Sequence, residues 1–356
     1  MNHPNPPIAP MTTLGLGGAA EHFVQALDET SLCAEVRRAD AAGRPVFVLG
    51  GGSNVVVADA GVAGAVIRVA TRGVRWTRAG DTLHVEAAAG EPWDDLVAAA
   101  VAREAQGIEC LSGIPGTVGA TPIQNVGAYG QEVADTLTAV TVFDRRTGEV
   151  REIGARDCGF GYRHSRFKGD DRGAFVVLGV RFALRLGVAP TVRYGELSRA
   201  LTDDPSPSLA TVRQTVLALR RAKGMVYDPT DPEHRTAGSF FTNPTVDPAT
   251  AEAVAARCPE GTTMPRFAAP DGRVKLAAGW LIERAGVSRG HRRGGAGVSS
   301  RHALALVNHG GSAAELVALA REIQERVWQT FAVHLSPEPV FVGFGVDDPT
   351  RMTPGR

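Results

Sequence analysis

The sequence lacks the features that mark nucleic-acid-binding and metal-binding proteins. Its 38 basic and 38 acidic side chains cancel, so no large positive field exists to gather nucleic acid or anionic lipid. The four cysteines, Cys33, Cys110, Cys158 and Cys258, are far apart and form neither a CxxC pair nor a His/Cys cluster with metal-ligand spacing. They are predicted to be reduced, mostly buried thiols. These absences favour small-molecule chemistry without a metal.

No segment has the composition of a signal peptide or of a membrane-spanning helix. The first ten residues, MNHPNPPIAP, contain neither a basic n-region nor an apolar h-region. No stretch approaches the roughly 18 consecutive apolar residues of a membrane span. A cytoplasmic protein without membrane association is therefore expected. The length of 356 residues predicts two or three packed units.

Patterns in the first half of the chain predict both strands and helices. Residues 92–106 have Pro92 at the first helical position, acids in the first turn and an alanine-rich body, as a helix does. Residues 140–153 alternate apolar and polar side chains around Thr147 and Gly148, as a hairpin does. Short apolar runs predict further strands at 44–49, 65–69, 83–87 and 175–184.

The second half changes in character, and we predict a domain boundary near residue 188. Residues 203–208 (DDPSPS) are rich in turn formers, and residues 211–223 have the pattern of a basic amphipathic helix. Residues 275–284 and 312–331 are also predicted helices. The last of these opens with a capping box and carries four apolar residues on one face: Ser312 and Glu315, then Leu316, Ala320, Ile323 and Val327. Residues 339–344 are a predicted strand, and 347–356 a frayed tail.

A glycine-rich loop, LGGGSN at residues 49–54, directly follows a predicted strand. Three glycines let the backbone turn back and expose N–H groups to an anion, while Ser53 and Asn54 can add side-chain donors. A pyrophosphate fits such a loop. An isolated run of glycines is also typical of a simple tight turn.

A second loop, SGIPGTVGATPIQNVGAYG at residues 112–130, has five glycines, two prolines and almost no charge. This composition is wrong for a solvated linker and predicts a shaped, buried loop that suits a flat apolar ligand with polar edges. Two such loops in one domain predict a dinucleotide cofactor, which neither would predict alone. The sequence GLGGAA at residues 15–20 satisfies G-x-G-x-x-A, but it follows no strand and is interpreted as structural.

Six motifs occur in one order along the chain: LGGGSN, IPGTVGATPIQNVGAYG, FGYRHSRFK, AGSFFTNP, KLAAGWLIERAG and SPEPVFVG. In these motifs the chain resembles the UDP-N-acetylenolpyruvoylglucosamine reductase family of bacterial peptidoglycan synthesis, over residues 11–345. The resemblance implies an α+β fold. An FAD-binding domain of the vanillyl-alcohol oxidase type would occupy 11–187, in α/β lobes at 11–72 and 73–187. An α+β substrate-binding domain would follow at 188–333, and 334–346 would be a C-terminal strand returning to the active site.

The resemblance also implies the reaction, which is reduction of UDP-N-acetylglucosamine enolpyruvate to UDP-N-acetylmuramate by NADPH through non-covalent FAD. It alone selects NADPH over NADH. A monomer is expected. The residues that match cofactor contacts of the family are Leu49, Gly50, Gly51, Gly52, Ser53, Asn54, Ile114, Pro115, Gly116, Thr117, Gly119, Ala120, Gln124, Asn125, Gly127, Ala128 and Tyr129.

Three residues match the catalytic groups of the family: Arg163, Ser239 and Glu338. Hydride addition to an enol ether leaves negative charge next to a carboxylate, so the reaction needs a cation, an acid group near the enolate and a proton donor. The guanidinium of Arg163 suits a carboxylate, and the resemblance makes Ser239 the proton donor. By residue type alone, an ion pair, a turn and a solvated carboxylate are the alternative roles of Arg163, Ser239 and Glu338.

Further positions match substrate contacts of the family. They are Tyr162 with Arg163, Tyr194 on a loop that closes over the substrate in one branch, Lys223 and Asn243 at the diphosphate or sugar, and His302. A buried tyrosine, a lysine on a helix C-terminus, an asparagine before proline and a strand-edge histidine are the alternative roles. Residues 225–238 are longer than the family pattern, which leaves that loop geometry open.

Two other functions are weighed against this one. An FAD-dependent oxidase of the same fold would often anchor its flavin through His or Cys, and neither glycine-rich loop contains either residue. A non-catalytic protein that binds nucleotide sugars would have no use for Ser239 or Glu338 and would purify without yellow colour.

Overall fold

The computed structural model of the chain describes residues 6–258 and 262–351. These residues form two compact units, which are considered separately. The first unit consists mainly of Ala19–Gly52 and Val62–Tyr227. The second contains Pro7–Gly18, Ser53–Gly61 and the chain from Asp228 onwards.

Twenty strands and seven α-helices occur in the described residues. The helices are α1 (Glu29–Ala41), α2 (Trp93–Val101), α3 (Gly195–Ala200), α4 (Leu209–Ala222), α5 (Pro248–Ala256), α6 (Ala278–Arg284) and α7 (Ala313–Phe331). The strands are β1 (Ala20–Ala26), β2 (Val46–Leu49), β3 (Val55–Val57), β4 (Val62–Val69), β5 (Val74–Ala79), β6 (Thr82–Ala88), β7 (Ala105–Gln106), β8 (Gly127–Ala128), β9 (Gln131–Glu132), β10 (Leu137–Asp144), β11 (Glu149–Gly154), β12 (Phe175–Leu186), β13 (Thr236–Ser239), β14 (Thr245–Val246), β15 (Arg266–Ala268), β16 (Val274–Leu276), β17 (Arg292–Arg293), β18 (Ala296–Val298), β19 (Ala305–Asn308) and β20 (Val340–Val342).

The first unit begins with a small parallel sheet in the order β1-β4-β2. Helix α1 starts at a capping box, in which Asp28 accepts from the Ser31 N–H at 2.7 Å and Ser31 accepts from the Asp28 N–H. Its buried residues, including Leu32 and Val36, belong to the core of this unit. The short apolar runs predicted as strands at 44–49 and 65–69 are confirmed.

A larger antiparallel sheet follows, in the order β11-β10-β12-β6-β5 with β7 beside β12. The predicted hairpin is β10 and β11, which pair from Asp144/Glu149 outwards. Trp93 anchors the start of helix α2. It is fully buried and donates from Nε1 to the Leu111 carbonyl at 3.1 Å. The helix ends at Val101, earlier than predicted, because Ala105 and Gln106 instead pair with β12.

Residues 191–227 belong to the first compact unit. Helices α3 and α4 enclose a small core of Cys110, Leu197, Leu201, Val212 and Val216, which ties this segment to Cys110, two residues before the second glycine-rich loop. The boundary between the two compact units therefore lies at Tyr227. The division into cofactor-binding and substrate-binding domains near residue 188 stays a prediction.

In the second unit a sheet in the order β13-β19-β18-β17 packs with helices α6 and α7. The predicted capping box of α7 is confirmed, since Ser312 accepts from the Glu315 N–H at 3.2 Å and Glu315 accepts from the Ser312 N–H at 2.8 Å. Its predicted apolar face is completely buried. The late strand β20 pairs in parallel with β3.

Two predictions in the second unit are wrong in part. Residues 275–284 were predicted as one helix, but Val274–Leu276 is strand β16, which lies between β14 and β15 and pairs with both. Within the predicted frayed tail, Pro349 and Thr350 are buried, and Arg321 Nε donates to the Pro349 carbonyl at 2.7 Å, whereas Asp347 and Arg351 are exposed. Residues 352–356 lie outside the described residues.

The four cysteines are free thiols as predicted, three of them buried and Cys258 partly exposed. The GLGGAA segment precedes β1 as a loop that leads into a strand, which agrees with its structural interpretation. In the part of the chain that the structure describes, no helix has both the length and the apolar composition needed to cross a bilayer.

Candidate active site

The two glycine-rich loops touch each other in the first unit. The first begins where β2 ends at Leu49. A Cβ atom on Gly50 would lie 2.7 Å from Thr117 Oγ1, and one on Gly51 would lie 2.7 Å from Gly116 Cα. Only residues without a Cβ allow this approach. The loops that the sequence assigned to one cofactor thus form one surface.

The second loop is fixed to the sheet below it. The Gly116 carbonyl accepts from the Trp93 N–H at 3.0 Å, and the Gly119 N–H donates to the Ala89 carbonyl at 2.8 Å. A Cβ on Gly119 would lie 2.5 Å from the Ala89 Cβ. The loop is therefore held at its start and in its middle by backbone hydrogen bonds, which gives its remaining N–H groups fixed directions.

Asn125 organises the later part of this loop. It has a positive φ of 47° and is buried. Its Nδ2 donates to Glu132 Oε2 at 2.7 Å and to the Gly161 carbonyl at 3.1 Å, and its Oδ1 accepts from the Ala134 N–H at 3.0 Å. The side chain of Asn125 thus shapes the loop, and its cofactor contact stays a prediction.

Tyr162 and Arg163 lie at the tip of a tight turn. Gly161 and His164 exchange backbone hydrogen bonds of 3.0 and 3.1 Å across its base. Arg163 has a positive φ of 52°, and its NH2 group donates to the Gly127 carbonyl at 2.8 Å. The guanidinium also lies 5.5 Å from the centre of the exposed Tyr162 ring. The turn thus presents both predicted substrate residues beside the second glycine-rich loop.

Three other predicted residues meet in the same unit. The rings of Tyr129 and Tyr194 are 5.6 Å apart at an interplanar angle of 88°. Lys223 Nζ lies 5.6 Å from the centre of the Tyr129 ring. Tyr194 directly precedes α3, and Lys223 follows the last residue of α4. The fold therefore brings Tyr129, Tyr194 and Lys223 into one cluster.

Electrostatics keep both tyrosines neutral over the ordinary pH range. Burial raises the pKa of Tyr129 to about 12. The charge of Arg220 acts to lower this pKa and that of Glu196 to raise it, and both effects are smaller than that of burial. Burial, followed by the charge of Glu196, raises the pKa of Tyr194. Both hydroxyls are therefore hydrogen-bond donors, as a contact with an anionic ligand requires.

Two charged residues in this cluster were missed from the sequence. Glu196 forms an ion pair with Lys223, with 2.5 Å between Oε2 and Nζ. Arg220 is only 9% exposed, its NH2 donates to the Met225 carbonyl at 2.8 Å, and its Nε has no partner among the described residues. The sequence did contain a signal for Arg220. It lies four residues after Val216 and eight after Val212, on the buried face of α4, where an apolar residue is expected.

A third missed group holds the second loop to α4. Asp94 accepts from the Gly113 N–H at 2.6 Å and binds Arg213 through both oxygens, at 2.6 and 2.8 Å. Burial acts to raise the pKa of Asp94, but these hydrogen bonds outweigh it and the pKa is lowered. Asp94 is thus ionised and joins α2, the loop and α4.

In the second unit the backbone brings Ser239 and Glu338 close together. Ser239 is the last residue of β13. The next residue, Phe240, accepts from the Glu338 N–H at 2.8 Å. The Glu338 carbonyl in turn accepts from Asn54 Nδ2 at 3.3 Å. A predicted proton donor, a predicted carboxylate and the end of the LGGGSN loop therefore lie in one neighbourhood.

Asn243 and His302 also belong to the second unit. Asn243 Oδ1 accepts from the Ala278 N–H at 2.9 Å and so caps α6. His302 lies in the turn before β19, where its carbonyl accepts from the Ala305 N–H at 3.0 Å. These contacts account for structural roles of both residues, and their predicted substrate contacts stay predictions.

The loop at 225–238 is held to the segment that precedes His302. Glu233 accepts from Ser299 Oγ at 2.6 Å and from the Ser300 N–H at 3.0 Å. Asp231 forms an ion pair with Arg301. Burial acts to raise the pKa of Glu233, but the hydrogen bonds from Ser299 and Ser300 outweigh it and the pKa is lowered. Asp231 and Glu233 thus hold this loop to residues 299–301 through charged contacts.

The predicted catalytic residues are divided between the units. Arg163 lies in the first unit with the two glycine-rich loops, Tyr162, Tyr194 and Lys223, whereas Ser239, Glu338, Asn243 and His302 lie in the second. Ser53 and Asn54 are counted with the second unit and the other predicted cofactor residues with the first.

Comparisons with known proteins agree with this division. Residues 20–154 match an FAD binding domain, and residues 229–342 match the C-terminal domain of UDP-N-acetylenolpyruvoylglucosamine reductase. The UDP-N-acetylenolpyruvoylglucosamine reductase of Saccharopolyspora erythraea is 52% identical over 347 residues, which covers 94% of each chain. That of Thermobifida fusca is 48% identical over 348 residues, covering 95% of this chain and 97% of its own.

A solved structure is also similar. The crystal structure of UDP-N-acetylenolpyruvylglucosamine reductase from Thermus caldophilus has a TM-score of 0.64 and 26% sequence identity, and it covers 96% of this chain and 98% of its own. The predicted family, the α+β fold and the FAD cofactor are confirmed by these matches. The chain therefore belongs to the UDP-N-acetylenolpyruvoylglucosamine reductase family and is an FAD-dependent oxidoreductase.

Proposed function

We propose that this protein reduces UDP-N-acetylglucosamine enolpyruvate to UDP-N-acetylmuramate at the expense of NADPH, in the cytoplasmic part of peptidoglycan synthesis. The observation that carries the proposal lies in the domain that matches the reductase. There the hydrogen bond from the Glu338 N–H to the Phe240 carbonyl keeps Glu338 beside Ser239. A proton donor next to a carboxylate suits protonation of an enolate.

The residues of the first unit fit FAD. Gly50 and Gly51 pack directly on Thr117 and Gly116, which gives a surface of backbone N–H groups without side-chain obstruction, as a pyrophosphate needs. The predicted FAD contacts are those of the two loops, and neither loop has a His or Cys for covalent attachment. When bound, FAD supplies the hydride that NADPH provides.

Each catalytic side chain has one proposed task. Arg163 binds the substrate carboxylate through its planar guanidinium. Glu338 stabilises the enolate that forms when the double bond is reduced, and Ser239 gives its hydroxyl proton to the adjacent carbon. A serine hydroxyl is a weak acid, but an enolate carbon is a strong base, so transfer is feasible once the two are held in position.

The remaining contacts concern the UDP-sugar. We assign Tyr194 and Lys223 to the diphosphate, since they lie together beside Tyr129. The Asn243 oxygen already caps α6, so its amide nitrogen is the group available to the substrate. Tyr162 and His302 are proposed to line the substrate, and the protein is proposed to act as a monomer.

The reaction is tested with purified, flavin-loaded protein by following NADPH absorbance. NADPH should be consumed only while UDP-N-acetylglucosamine enolpyruvate is present, with UDP-N-acetylmuramate as the product, and NADH should be a poorer donor. A flavin that is released when the protein is denatured would support the reductase, and one that stays attached would favour an oxidase that oxidises an alcohol or sugar. A protein that purifies without flavin would favour a simple binding protein.

The role of Ser239 is tested by separating the two half-reactions. Ser239→Ala should be reduced by NADPH at nearly the wild-type rate but reoxidised by the enolpyruvyl substrate about 10²- to 10⁴-fold more slowly, which is the usual contribution of a general acid. Ser288→Ala, which changes an exposed serine of the same unit, is the matched control. Normal reoxidation of Ser239→Ala would show that another group supplies the proton.

A further inference from the structure

The ion pair between Glu196 and Lys223 joins two elements of the first unit. Glu196 lies in the first turn of α3 and Lys223 just after α4. Their charged atoms are 2.5 Å apart, and the two side chains are 29% and 31% exposed. The pair is thus partly shielded from water, where charge–charge interactions are stronger than at an open surface.

The same pair touches the residues proposed to bind the diphosphate. Lys223 Nζ lies 5.6 Å from the Tyr129 ring centre, and that ring lies edge-on to Tyr194. Tyr194 is the residue before α3, so Glu196 is only two positions away from it along the chain. The charge of Glu196 also contributes to the raised pKa of both tyrosines. A carboxylate therefore lies within the proposed anion site.

The neighbouring carboxylate, Asp94, already has other partners. It acts electrostatically on Arg220, but it binds Arg213 through both oxygens and the Gly113 N–H through one. In the described part of the chain, Glu196 is the carboxylate that forms an ion pair with Lys223.

A phosphate and this carboxylate compete for the same ammonium group. If both faced Lys223 at once, two like charges would share a partly buried site, which disfavours the charged forms of both. A ligand phosphate must therefore take over Lys223, and the hydrogen bond between α3 and α4 is then lost. The exchange is local to the two charged groups, because α3 and α4 also share the buried core of Leu197, Leu201, Val212 and Val216.

We propose that Glu196 is a built-in substitute for the ligand phosphate, which holds Lys223 in place and yields it when the UDP-sugar binds. This rests on the proposed function, because it takes Lys223 as a diphosphate contact. It assigns Glu196 as a specificity-determining residue that lowers the affinity for phosphate-containing ligands. Its removal should strengthen binding of a diphosphate and leave an uncharged ligand unaffected.

The test compares UDP with uridine on the FAD-loaded protein by isothermal titration calorimetry. Glu196→Gln should bind UDP about 1.5- to 5-fold more tightly than wild type, the effect expected for one partly exposed ion pair. Its affinity for uridine should be unchanged. Glu35→Gln, which removes a carboxylate that pairs with Arg38 on the surface of α1, should change neither affinity. Weaker or equal UDP binding by Glu196→Gln would overturn the proposal.

Two further variants keep this test decisive. Glu196→Ala should tighten UDP binding in the same way if Glu196→Gln proves poorly folded by circular dichroism. Lys223→Met separates this proposal from the proposed function. If wild type binds UDP and Lys223→Met binds it equally well, the assignment of Lys223 to the diphosphate is wrong. If Lys223→Met loses affinity but neither Glu196 variant gains it, only the role of Glu196 is wrong.

Discussion

A methyl group on Gly51 is expected to force the two glycine-rich loops apart. The new Cβ would lie 2.7 Å from Gly116 Cα and 3.1 Å from Gly116 C, whereas ordinary Cβ contacts begin at 3.4 Å. Gly116 is backbone and is held by the N–H of the fully buried Trp93, so it cannot move aside easily. Overpacking of this kind costs about 1–3 kcal/mol. The φ of Gly51 is not in the left-handed region, so the cost is steric alone.

Two measurements follow from this estimate. Urea denaturation of the apoprotein should show Gly51→Ala to be less stable by about 1–3 kcal/mol. FAD titration, followed by quenching of flavin fluorescence, should show a Kd that is about 5- to 160-fold weaker, because the same cost of about 1–3 kcal/mol falls on the loop arrangement that holds the cofactor and about 1.4 kcal/mol is tenfold in affinity.

The matched control is Gly279→Ala in α6. Its Cβ would meet Leu304 Cγ at 3.4 Å and Ala303 Cβ at 3.9 Å, both ordinary contacts. It should stabilise the protein by up to about 1 kcal/mol and leave the FAD affinity unchanged. Wild-type FAD affinity in Gly51→Ala would refute the idea that close approach of the two loops creates the cofactor site.

Three other changes have defined outcomes. Arg220→Met should raise the free energy of unfolding of the apoprotein, measured by urea denaturation, by about 1–2 kcal/mol. The reason is that apolar volume replaces a buried guanidinium that has one bond, to the Met225 carbonyl. A loss of several kcal/mol would show that this bond dominates. The free energy of unfolding of the wild type should fall between pH 10 and pH 12, because Tyr129 has a pKa of 10.0 in the unfolded chain and about 12 in the folded one. Urea titrations across that pH range should show a smaller fall for Tyr129→Phe. Glu233→Gln should lower the free energy of unfolding by about 1.5–3 kcal/mol, the value of hydrogen bonds to a charged group, and equal stability would show that its bonds to Ser299 and Ser300 add nothing.

Local signals in the sequence were sufficient where structure depends on local chemistry. The capping box of Ser312 and Glu315 predicted the start of α7 within one residue, because its hydrogen bonds join residues three positions apart. The lack of charge and the many glycines of residues 112–130 predicted a buried loop, and Gly116 is indeed in direct contact with the first loop. Composition was informative here because few structures other than a ligand-binding loop need so much close backbone contact.

Sequence patterns failed where a distant partner decides the structure. KLAAGWLIERAG has helical periodicity throughout, yet Lys275 pairs with Thr245 on one side and Phe267 on the other, and these pairings override local preference. The same limit applies to Glu196 and Lys223, which are 27 positions apart. No pattern in either segment specifies that α3 and α4 pack together, so their ion pair could not be read from the sequence.

In the described part of the first unit, three of the four non-glycine residues with positive φ have proposed roles, and the fourth is Glu104. Asn125, Tyr129 and Arg163 all have φ values near +50°, where a residue other than glycine costs about 1–3 kcal/mol. Glycine would remove that cost at each position, so the side chains must contribute something that offsets it. For Asn125 the contribution is its hydrogen bonds to Glu132 and the Gly161 carbonyl, and for Tyr129 it is the ring beside Lys223. For Arg163 the bond to Gly127 fixes the direction of the guanidinium, which is the requirement for a group that has to meet a carboxylate in one orientation.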